Sequence, residues 1–356
     1  MGLLTKSSRM TTGYGSLSRR CVRYATAGTR RTIRPVENLR QTFRVVRRVT
    51  MHYVGGVDET LDRPAHVRAA SGITWFGQHL ATVSDDTSFV GLVDPVSGRT
   101  QPITIPHAPA QRRQFDTRRG NKADKLDLEC VISVEGRLVA FGSDNGLAVR
   151  QQVVVIDNAT LLPRVVALPR LYEALRQPVL GRGVLNLEGA AVSGDTLVLG
   201  NRGGDIGNDA VPTVDAVTRL PVSTFLRLID DPHGAPLPSI EWHPLHLGHL
   251  GGTPLHLTEL EAIGDALAFA ATAEATTSAY DDGHVTGSVV GWIHGAMSSS
   301  CQVEWCHVID EHGAPLVAKL EGLVFDASTG NMLATVDADD PDRPSELLEL
   351  AIVRDR

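Results

Sequence analysis

The chain has 356 residues, of which 42% are hydrophobic and 21% are charged, and its formal net charge is −7. This apolar share is large enough for a folded core, which excludes general disorder. No uninterrupted apolar run approaches the roughly 18 residues of a membrane-spanning helix. The four cysteines are Cys21, Cys130, Cys301 and Cys306. They are too few for a disulfide scaffold and are not spaced as zinc ligands, so we expect them to be reduced.

The first segment of the chain is strongly basic. Residues 1–50 contain twelve of the 34 Lys and Arg residues but only one of the 41 acids, so the remainder has 22 basic and 40 acidic side chains. Such a segment is typical of a nucleic-acid-binding arm, a transit peptide or a disordered extension. We favour a disordered basic leader over residues 1–38, because aromatic residues do not alternate with the basic ones and no apolar h-region of a secretory signal is present. We therefore expect a cytoplasmic protein that binds neither nucleic acid nor membrane.

One short phrase recurs along the rest of the chain: an apolar residue, a glutamate, a small residue and an apolar run. Its glutamates are Glu129, Glu188, Glu261 and Glu321, which are separated by 59, 73 and 60 residues. A fifth copy has Ser71 in place of the acid, 58 residues before the first glutamate. Repetition at a near-constant spacing indicates duplicated structural units.

Each phrase is followed by runs that are typical of β-strands. In the third unit, a second apolar run (197–199), a polar loop (201–204) and a third aliphatic run (225–229) follow the glutamate. Short runs rich in Val, Ile and Leu, bounded by Gly, Asp, Asn or Pro, predict strands. Four strands in each unit of about 60 residues predict a propeller blade.

The predicted architecture is an all-β, five-bladed β-propeller over residues 39–356. Its blades start near residues 71, 129, 188, 261 and 321. The last unit has room for only three strands, so we expect residues 42–49 to supply the fourth strand and close the ring. Helix is scarce, and residues 171–176 are the best candidate.

The phrase glutamates and the polar loops should meet at one mouth of the central channel. Antiparallel connectivity brings the start of each first strand and the loop after each second strand to the same end of a blade. Carboxylates that converge there need a bound cation, basic partners or backbone amides. A hard cation suits oxygen ligands, which predicts a Ca²⁺ site formed by Glu129, Glu188, Glu261, Glu321 and Asp339. The alternative is that each glutamate only caps backbone amides at the start of its blade.

Basic and polar residues predict a ligand site beside these carboxylates. Arg202 follows Asn201 in a glycine-rich loop and can hold an anion through two hydrogen bonds. The further candidate ligand-binding residues are Lys122, Lys125, Asp127, Arg150 and Arg343. If the protein is an enzyme, its candidate catalytic residues are Glu188, Glu321 and Arg202.

Four histidines lie in one stretch that prolines and glycines interrupt: His243, His246, His249 and His256. A cluster of this kind can bind a transition metal. We favour an exposed outer strand and loop, because no helix can align the four rings there.

Several motifs resemble known propellers. The segments NLEGAAV (186–192), KLEGLVF (319–325) and DADDPD (337–342) resemble the phytase-like and esterase-like phytase propellers. The chain is still more similar to an uncharacterised bacterial propeller family of unknown function, through KLDLE (125–129), FGSDN (141–145) with Arg150, and NRG (201–203). The resemblance covers about residues 40–356. It implies a propeller that is able to bind calcium and brings no established reaction, and Ser71 departs from its pattern.

Together these features favour a soluble propeller whose channel mouth binds a small anionic molecule, with Ca²⁺ as the candidate cofactor. For an enzyme, we expect metal-assisted hydrolysis of a phosphoester, ester or lactone, with one glutamate as general base. The competing hypothesis is a non-catalytic scaffold that binds a ligand or a protein partner. We expect a monomer.

Overall fold

In the computed structural model, residues 35–177, 180, 185–204, 213–275, 284–295 and 302–354 are described. Most of them lie in β-strands, as the predicted fold class requires, and the α-helices of this part are α1 (Pro169–Leu175) and α2 (Val222–Asp230). No helix here is long and apolar enough to cross a membrane. The strands are β1 (Val36–Thr50), β2 (His52–Tyr53), β3 (Ala70–Phe76), β4 (His79–Ser84), β5 (Phe89–Val93), β6 (Arg99–Thr104), β7 (Leu128–Val134), β8 (Arg137–Gly142), β9 (Gln152–Asp157), β10 (Pro163–Ala167), β11 (Leu187–Ser193), β12 (Thr196–Asn201), β13 (Ala216–Pro221), β14 (His243–Pro244), β15 (His249–Leu250), β16 (Thr253–Ile263), β17 (Ala266–Ala275), β18 (His284–His294), β19 (Gln302–Ile309), β20 (Lys319–Asp326), β21 (Asn331–Asp337) and β22 (Glu346–Arg354).

The strands form a series of four-stranded antiparallel units. Strands β3 to β6 form one unit, with β2 parallel to β6 at its edge, and β7 to β10 and β11 to β14 form two more. A nine-stranded sheet contains β16 to β19, followed by β1, β22, β21 and β20. Within it, β1 pairs in parallel with β19 and antiparallel with β22, so the N-terminal strand lies beside the last strand of the chain.

Helix α2 replaces a strand that the sequence predicts over residues 225–229. Val222, Phe225, Leu226 and Ile229 are buried and recur at positions i, i+3, i+4 and i+7, which is the spacing of one helix face. Strand β13, just before the helix, pairs with β12 in the position expected of the third strand. The prediction was wrong because a short apolar run does not distinguish a buried helix from a strand.

The first strands of the five units contact one another in cyclic order. Strand β3 contacts β7, β7 contacts β11, β11 contacts β16, β16 contacts β20, and β20 contacts β3. Glycines allow these close approaches. A Cβ atom on Gly322 of β20 would lie 2.5 Å from the carbonyl oxygen of Ser71 in β3, and one on Gly72 would lie 2.7 Å from Cα of Cys130 in β7.

The apolar core lies between neighbouring units. Phe141 of β8 stacks on Phe225 of α2 with ring centroids 5.3 Å apart, so this helix packs against the preceding sheet. Another cluster joins β3 to β6 with β20 to β22, where Phe89 packs with Leu333 and Leu347. Burial of apolar area on both faces of the sheets holds the units side by side.

Candidate functional site

Every first strand contains a β-bulge. The register shifts between Leu128 and Cys130 in β7, between Leu187 and Gly189 in β11, and between Leu320 and Gly322 in β20. Because a bulge re-aims the extra residue out of the ladder, the residues at this position form an equivalent set. They are Ser71, Glu129, Glu188, Thr258 and Glu321.

Glu261 therefore does not belong to the glutamate set, and the structure places it apart from the other predicted metal ligands. The bulge of β16 lies between Leu257 and Glu259, so Thr258 takes the equivalent position. Glu261 lies three residues further along the strand, where its Oε1 accepts the backbone N–H of Phe325 at 3.0 Å. It lines a separate cavity of about 240 Å³ that shares no residue with the site described next.

The remaining phrase glutamates and the polar loops meet in one cavity of about 840 Å³, here called the mouth cavity. Carboxyl groups outnumber basic groups in its wall by eleven to seven. The acids are Asp85, Asp86, Asp116, Asp127, Glu129, Glu188, Glu274, Glu321, Asp337, Asp339 and Asp340. The basic residues are Arg68, Arg118, Lys122, Lys125, Arg150, Arg202 and Lys319.

Asp127 is the most strongly paired acid of the cavity. Lys125 Nζ lies 2.5 Å from Asp127 Oδ1 and 2.5 Å from Asp85 Oδ2, and Arg150 Nη1 lies 2.6 Å from Asp127 Oδ2. Burial disfavours the ionised form of Asp127, but these two cations outweigh it and lower the pKa of the carboxyl group below its ordinary value. The backbone of Asp127 is left-handed, with φ 57°, which places strain at this position.

Glu129, two residues further along the chain, differs from Asp127 in its contacts. Within the described residues, no ion pair involves its carboxylate. Burial, followed by the negative charges of Glu188 and Asp127, raises the pKa of Glu129 well above its ordinary value. One carboxylate oxygen from each of Asp85, Asp127 and Glu129 lies within 4.8 Å of the other two.

Asp85 contributes an orphaned polar atom to this triad. Its Oδ1 is buried and has no hydrogen-bond partner among the described groups, whereas its Oδ2 contacts Lys125. A buried acceptor without a donor costs free energy unless something else satisfies it. The oxygens of Asp85 and Glu129 match the hard oxygen ligands that Ca²⁺ prefers, and the triad contains no sulfur or imidazole ligand.

Arg202 lies between two carboxylates on another wall. Its Nη2 is 2.8 Å from Glu274 Oε2, and its Nη1 is 3.7 Å from Glu188 Oε1. Glu188 also accepts a hydrogen bond of 2.7 Å from Nδ2 of Asn186. Burial raises the pKa of Glu188 to about 8 in spite of Arg202, with the charge of Glu321 adding to the effect.

The third wall contains Lys319 and the aspartates that follow β21. Lys319 Nζ lies 2.6 Å from Glu321 Oε1, so this phrase glutamate is ion-paired. Burial, followed by the charge of Asp339, raises the pKa of Asp337 well above its ordinary value. Asp339 itself lines the cavity and is exposed, in the position that the sequence predicts for a cation ligand.

Two predicted ligand-binding residues lie outside the cavity wall. Asn201 is fully buried, and its side chain donates to the backbone carbonyls of Arg202 and Val214 while accepting the N–H of Asn186, so it stabilises the loop. Arg343 is exposed and is not part of the cavity lining. The structure therefore does not bring these two residues into the cavity wall, whereas Lys122, Lys125, Asp127 and Arg150 do line the cavity.

Asp85, Glu274 and His256 also line the cavity, although they are not among the residues that the sequence predicts to bind a metal or ligand at the channel mouth. Asp85 and Glu274 lie in polar stretches that correspond to the Arg202 loop of the third unit, and His256 belongs to the histidine stretch for which we expected an exposed outer strand and loop. The other three histidines of the cluster are not in the cavity wall, and His256 contacts Asp215 at 3.0 Å.

A model of a family described as a family of unknown function (DUF6929) matches residues 66–352. None of the curated proteins compared with the chain matches it. Among solved structures, the chain is similar to a glutaminyl cyclase of Myxococcus xanthus, at 13% identity and a TM-score of 0.46, over 90% of this chain and 100% of that chain. It is also similar to the Pan2 WD40 domain of Neurospora crassa, at 8% identity and a TM-score of 0.35, over 79% of this chain and 74% of that chain. These comparisons show no link with phytase-like propellers.

Proposed function

Because the chain belongs to a family of unknown function (DUF6929), we propose its function from the mouth cavity alone: a Ca²⁺-binding site that holds a small anionic ligand. The observation that carries the proposal is the triad of Asp85, Asp127 and Glu129, in which, among the described residues, one buried carboxylate oxygen lacks any donor and one carboxylate lacks an ion pair. A divalent cation would satisfy both groups at once.

We infer a five-bladed propeller as the scaffold of this site. The cyclic contacts of β3, β7, β11, β16 and β20 support a ring of five units around one channel. The pairing of β1 with both β19 and β22 supports closure of the ring by the N-terminal strand, which would leave no open edge in this region.

The excess of acids explains why the cation would have to bind first. Eleven carboxyl groups against seven basic groups leave the metal-free cavity without an excess of positive charge to attract an anionic ligand. A bound divalent cation would supply such charge and offer open coordination positions to a phosphate or carboxylate oxygen. Lys122 and Arg202 line the same cavity and would contact the rest of such a ligand.

Calcium titration of metal-stripped protein tests the proposal. An ion that binds only the folded state must raise the free energy of unfolding, by about 2.7 kcal/mol at an ion concentration 100 times Kd. The melting temperature therefore rises as well. We expect this shift for the natural protein and for Glu173→Gln, which changes an exposed glutamate of α1. Glu129→Gln should lose it. An equal shift in all three proteins, or no shift in any, would contradict the proposed site.

The catalytic form of the proposal is hydrolysis of a phosphoester, ester or lactone. Bound Ca²⁺ would supply polarisation of the substrate oxygen. We assign Arg202 to the anionic part of the substrate, and we assign Glu188 and Glu321 to holding Arg202 and Lys319 in place. Turnover of these three substrate classes with and without Ca²⁺ tests this form, and unchanged turnover in Glu188→Gln would contradict it.

A non-catalytic ligand-binding scaffold is the second candidate. The observation in its favour is that two of the predicted catalytic residues are already ion-paired within the protein, Arg202 with Glu274 at 2.8 Å and Glu321 with Lys319 at 2.6 Å. Calcium-dependent binding of inorganic phosphate, measured by calorimetry, together with no turnover above buffer for any substrate class, would favour this candidate over the hydrolase.

A further inference from the structure

We propose that His256, oriented by Asp215, is the proton acceptor of the mouth cavity. His256 Nδ1 lies 3.0 Å from Asp215 Oδ2, and the histidine side chain is 22% exposed in the cavity wall. A carboxylate that holds one ring nitrogen as N–H leaves the other nitrogen with a lone pair, which is the arrangement of oriented catalytic histidines. The proposal rests on the proposed function, because it names the base of the hydrolytic form.

Asp215 is fixed in place by backbone N–H groups of the loop after β12 and of strand β16. Its Oδ1 accepts the N–H of Gly203 at 2.9 Å and the N–H of Leu257 at 2.8 Å. The side chain is only 10% exposed. A carboxylate that accepts hydrogen bonds from two backbone N–H groups and a histidine is held in one orientation, so it can fix the imidazole ring in turn.

Glycine at position 203 is required for this arrangement. A Cβ atom there would lie 2.6 Å from Asp215 Oδ2 and 2.7 Å from the backbone nitrogen of Asp215. The loop after β12 thus approaches Asp215 closely enough for the N–H contact only because residue 203 has no side chain. The paired N–H and C=O groups of Gly204 and Thr213 close this loop beside the His256 ring.

The opposite nitrogen of the ring is available to a ligand. The bond to Asp215 uses Nδ1 of His256, and within the described residues no hydrogen bond reaches Nε2. His256 pairs with Thr272 in the β16–β17 ladder, and Glu274 lies two residues further along β17, on the same face of the sheet. Since Glu274 holds Arg202 at 2.8 Å, the base and the anion-binding group lie on one wall of the cavity.

Glutamates are less suited to this role in the same cavity. Glu321 is paired with Lys319 at 2.6 Å, so one of its carboxylate oxygens is already occupied by a cation. Glu188 accepts a hydrogen bond from Asn186 and faces Arg202. Among these candidates, His256 alone combines an orienting carboxylate with an unused acceptor atom.

The proton moves in a closed cycle. A water molecule in the cavity transfers one proton to Nε2 of His256 while its oxygen attacks the carbonyl carbon of an ester or lactone. The imidazolium ion is stabilised by the Asp215 carboxylate, which stays ionised. When the carbon–oxygen bond of the tetrahedral intermediate breaks, the leaving alkoxide oxygen takes the proton from Nε2. The products are a carboxylic acid and an alcohol, and the histidine returns to its neutral form.

Nitrogen-15 NMR and chemical labelling test the arrangement without any substrate. We expect the neutral ring of His256 to be the Nδ1–H tautomer, and Asp215→Asn to lose that tautomer. Diethyl pyrocarbonate should label His256 readily at Nε2, as it should the exposed His246. An Nε2–H tautomer in the natural protein, or a His256 that resists labelling when His246 reacts, would overturn the proposal.

Kinetics on ester and lactone substrates test the role itself. We expect His256→Gln to lower kcat on the order of 10²-fold or more, with the calcium-induced shift in melting temperature unchanged, and His246→Gln to have no effect. Asp215→Asn should lower kcat and change the tautomer together. Full turnover in His256→Gln would overturn the proposal alone. No turnover in the natural protein would overturn the hydrolytic function, and with it the catalytic role of His256, whatever the tautomer.

Discussion

At the scale of single residues, the charge of each buried carboxyl group in the mouth cavity depends on how near a cation lies. Lys125 and Arg150 contact Asp127 within 2.6 Å, and burial is outweighed so that the pKa of this group is lowered. Glu129 lies two residues away and has no ion pair within the described part, so burial raises its pKa. A position without a protein cation is therefore the position at which an added cation would gain most.

Glu261 offers a clean test of how burial acts on a carboxyl group outside the site. Burial raises its pKa from 4.5 to about 7, so the stability it contributes is complete below pH 4.5 and is lost as the pH rises towards 7. We expect Glu261→Gln to be more stable than the natural protein at pH 8, by at most about 3 kcal/mol in the free energy of unfolding. At pH 4 the two proteins should have the same stability. Melting curves over this pH range measure the difference.

Glu173→Gln is the matched control for that prediction, since Glu173 is exposed on α1 and its substitution should leave the pH profile unchanged. Glu261→Gln should also keep the calcium-induced shift, because Glu261 lines a different cavity. A pH profile identical to that of the natural protein would show that the carboxyl group ionises as it does in water.

At the scale of strands and loops, the repeated phrase predicts most of the site. Glu129, Glu188, Glu321, Arg202 and Asp339 do line one cavity. The prediction follows from chain order alone, because antiparallel strands return each loop to the same end of its unit.

In the fourth unit, the sequence phrase does not mark the position of the β-bulge. Leu260-Glu261-Ala262 matches the phrase, but the bulge follows Leu257 and aims Thr258 instead. A bulge is a feature of backbone pairing that different residues can occupy, so a phrase match does not fix its register. The ion pair of Lys125 with Asp85 and the contact of His256 with Asp215 join distant parts of the chain, and no local pattern predicts them.

The close approach of the first strands makes its own prediction. In Gly322→Ala, the new Cβ would lie 2.5 Å from the backbone oxygen of Ser71 and 2.5 Å from Thr335 Oγ1, so the strands must separate. Overpacking of this kind costs typically about 1–3 kcal/mol, which urea unfolding would measure. Ser133→Ala in β7 is the control, because Ser133 is exposed. Equal stability of the two variants would argue against tight contact between β20 and β3.

At the scale of the whole molecule, the N-terminal strand joins two units of the nine-stranded sheet. Phe43 and Val45 of β1 are buried in the cluster that also contains Leu348 and Leu350 of β22. Loss of this strand would expose the edges of β19 and β22 together with that core. The sequence predicts that residues 1–38 lie outside the fold, whereas β1 already begins at Val36 and pairs there with β19.

Two truncations test this division. A chain that starts at residue 35 should melt within a few degrees of the natural protein, because it keeps all of β1. A chain that starts at residue 51 should lose cooperative unfolding and aggregate, because buried Phe43 and Val45 are removed. Thermal unfolding followed by circular dichroism distinguishes the outcomes, and a cooperative transition at the natural temperature in the shorter chain would contradict the role of β1.

The central claim is that the triad of Asp85, Asp127 and Glu129 in the mouth cavity binds Ca²⁺. Its most direct test is a crystal structure of the protein grown with calcium chloride and read at the anomalous signal of calcium. We predict a peak at about 2.3–2.6 Å from carboxylate oxygens of Asp85 and Glu129, with Asp127 as the third acid of the site. A mouth cavity without a calcium peak, in which Lys125 alone bridges Asp85 and Asp127, would contradict the account.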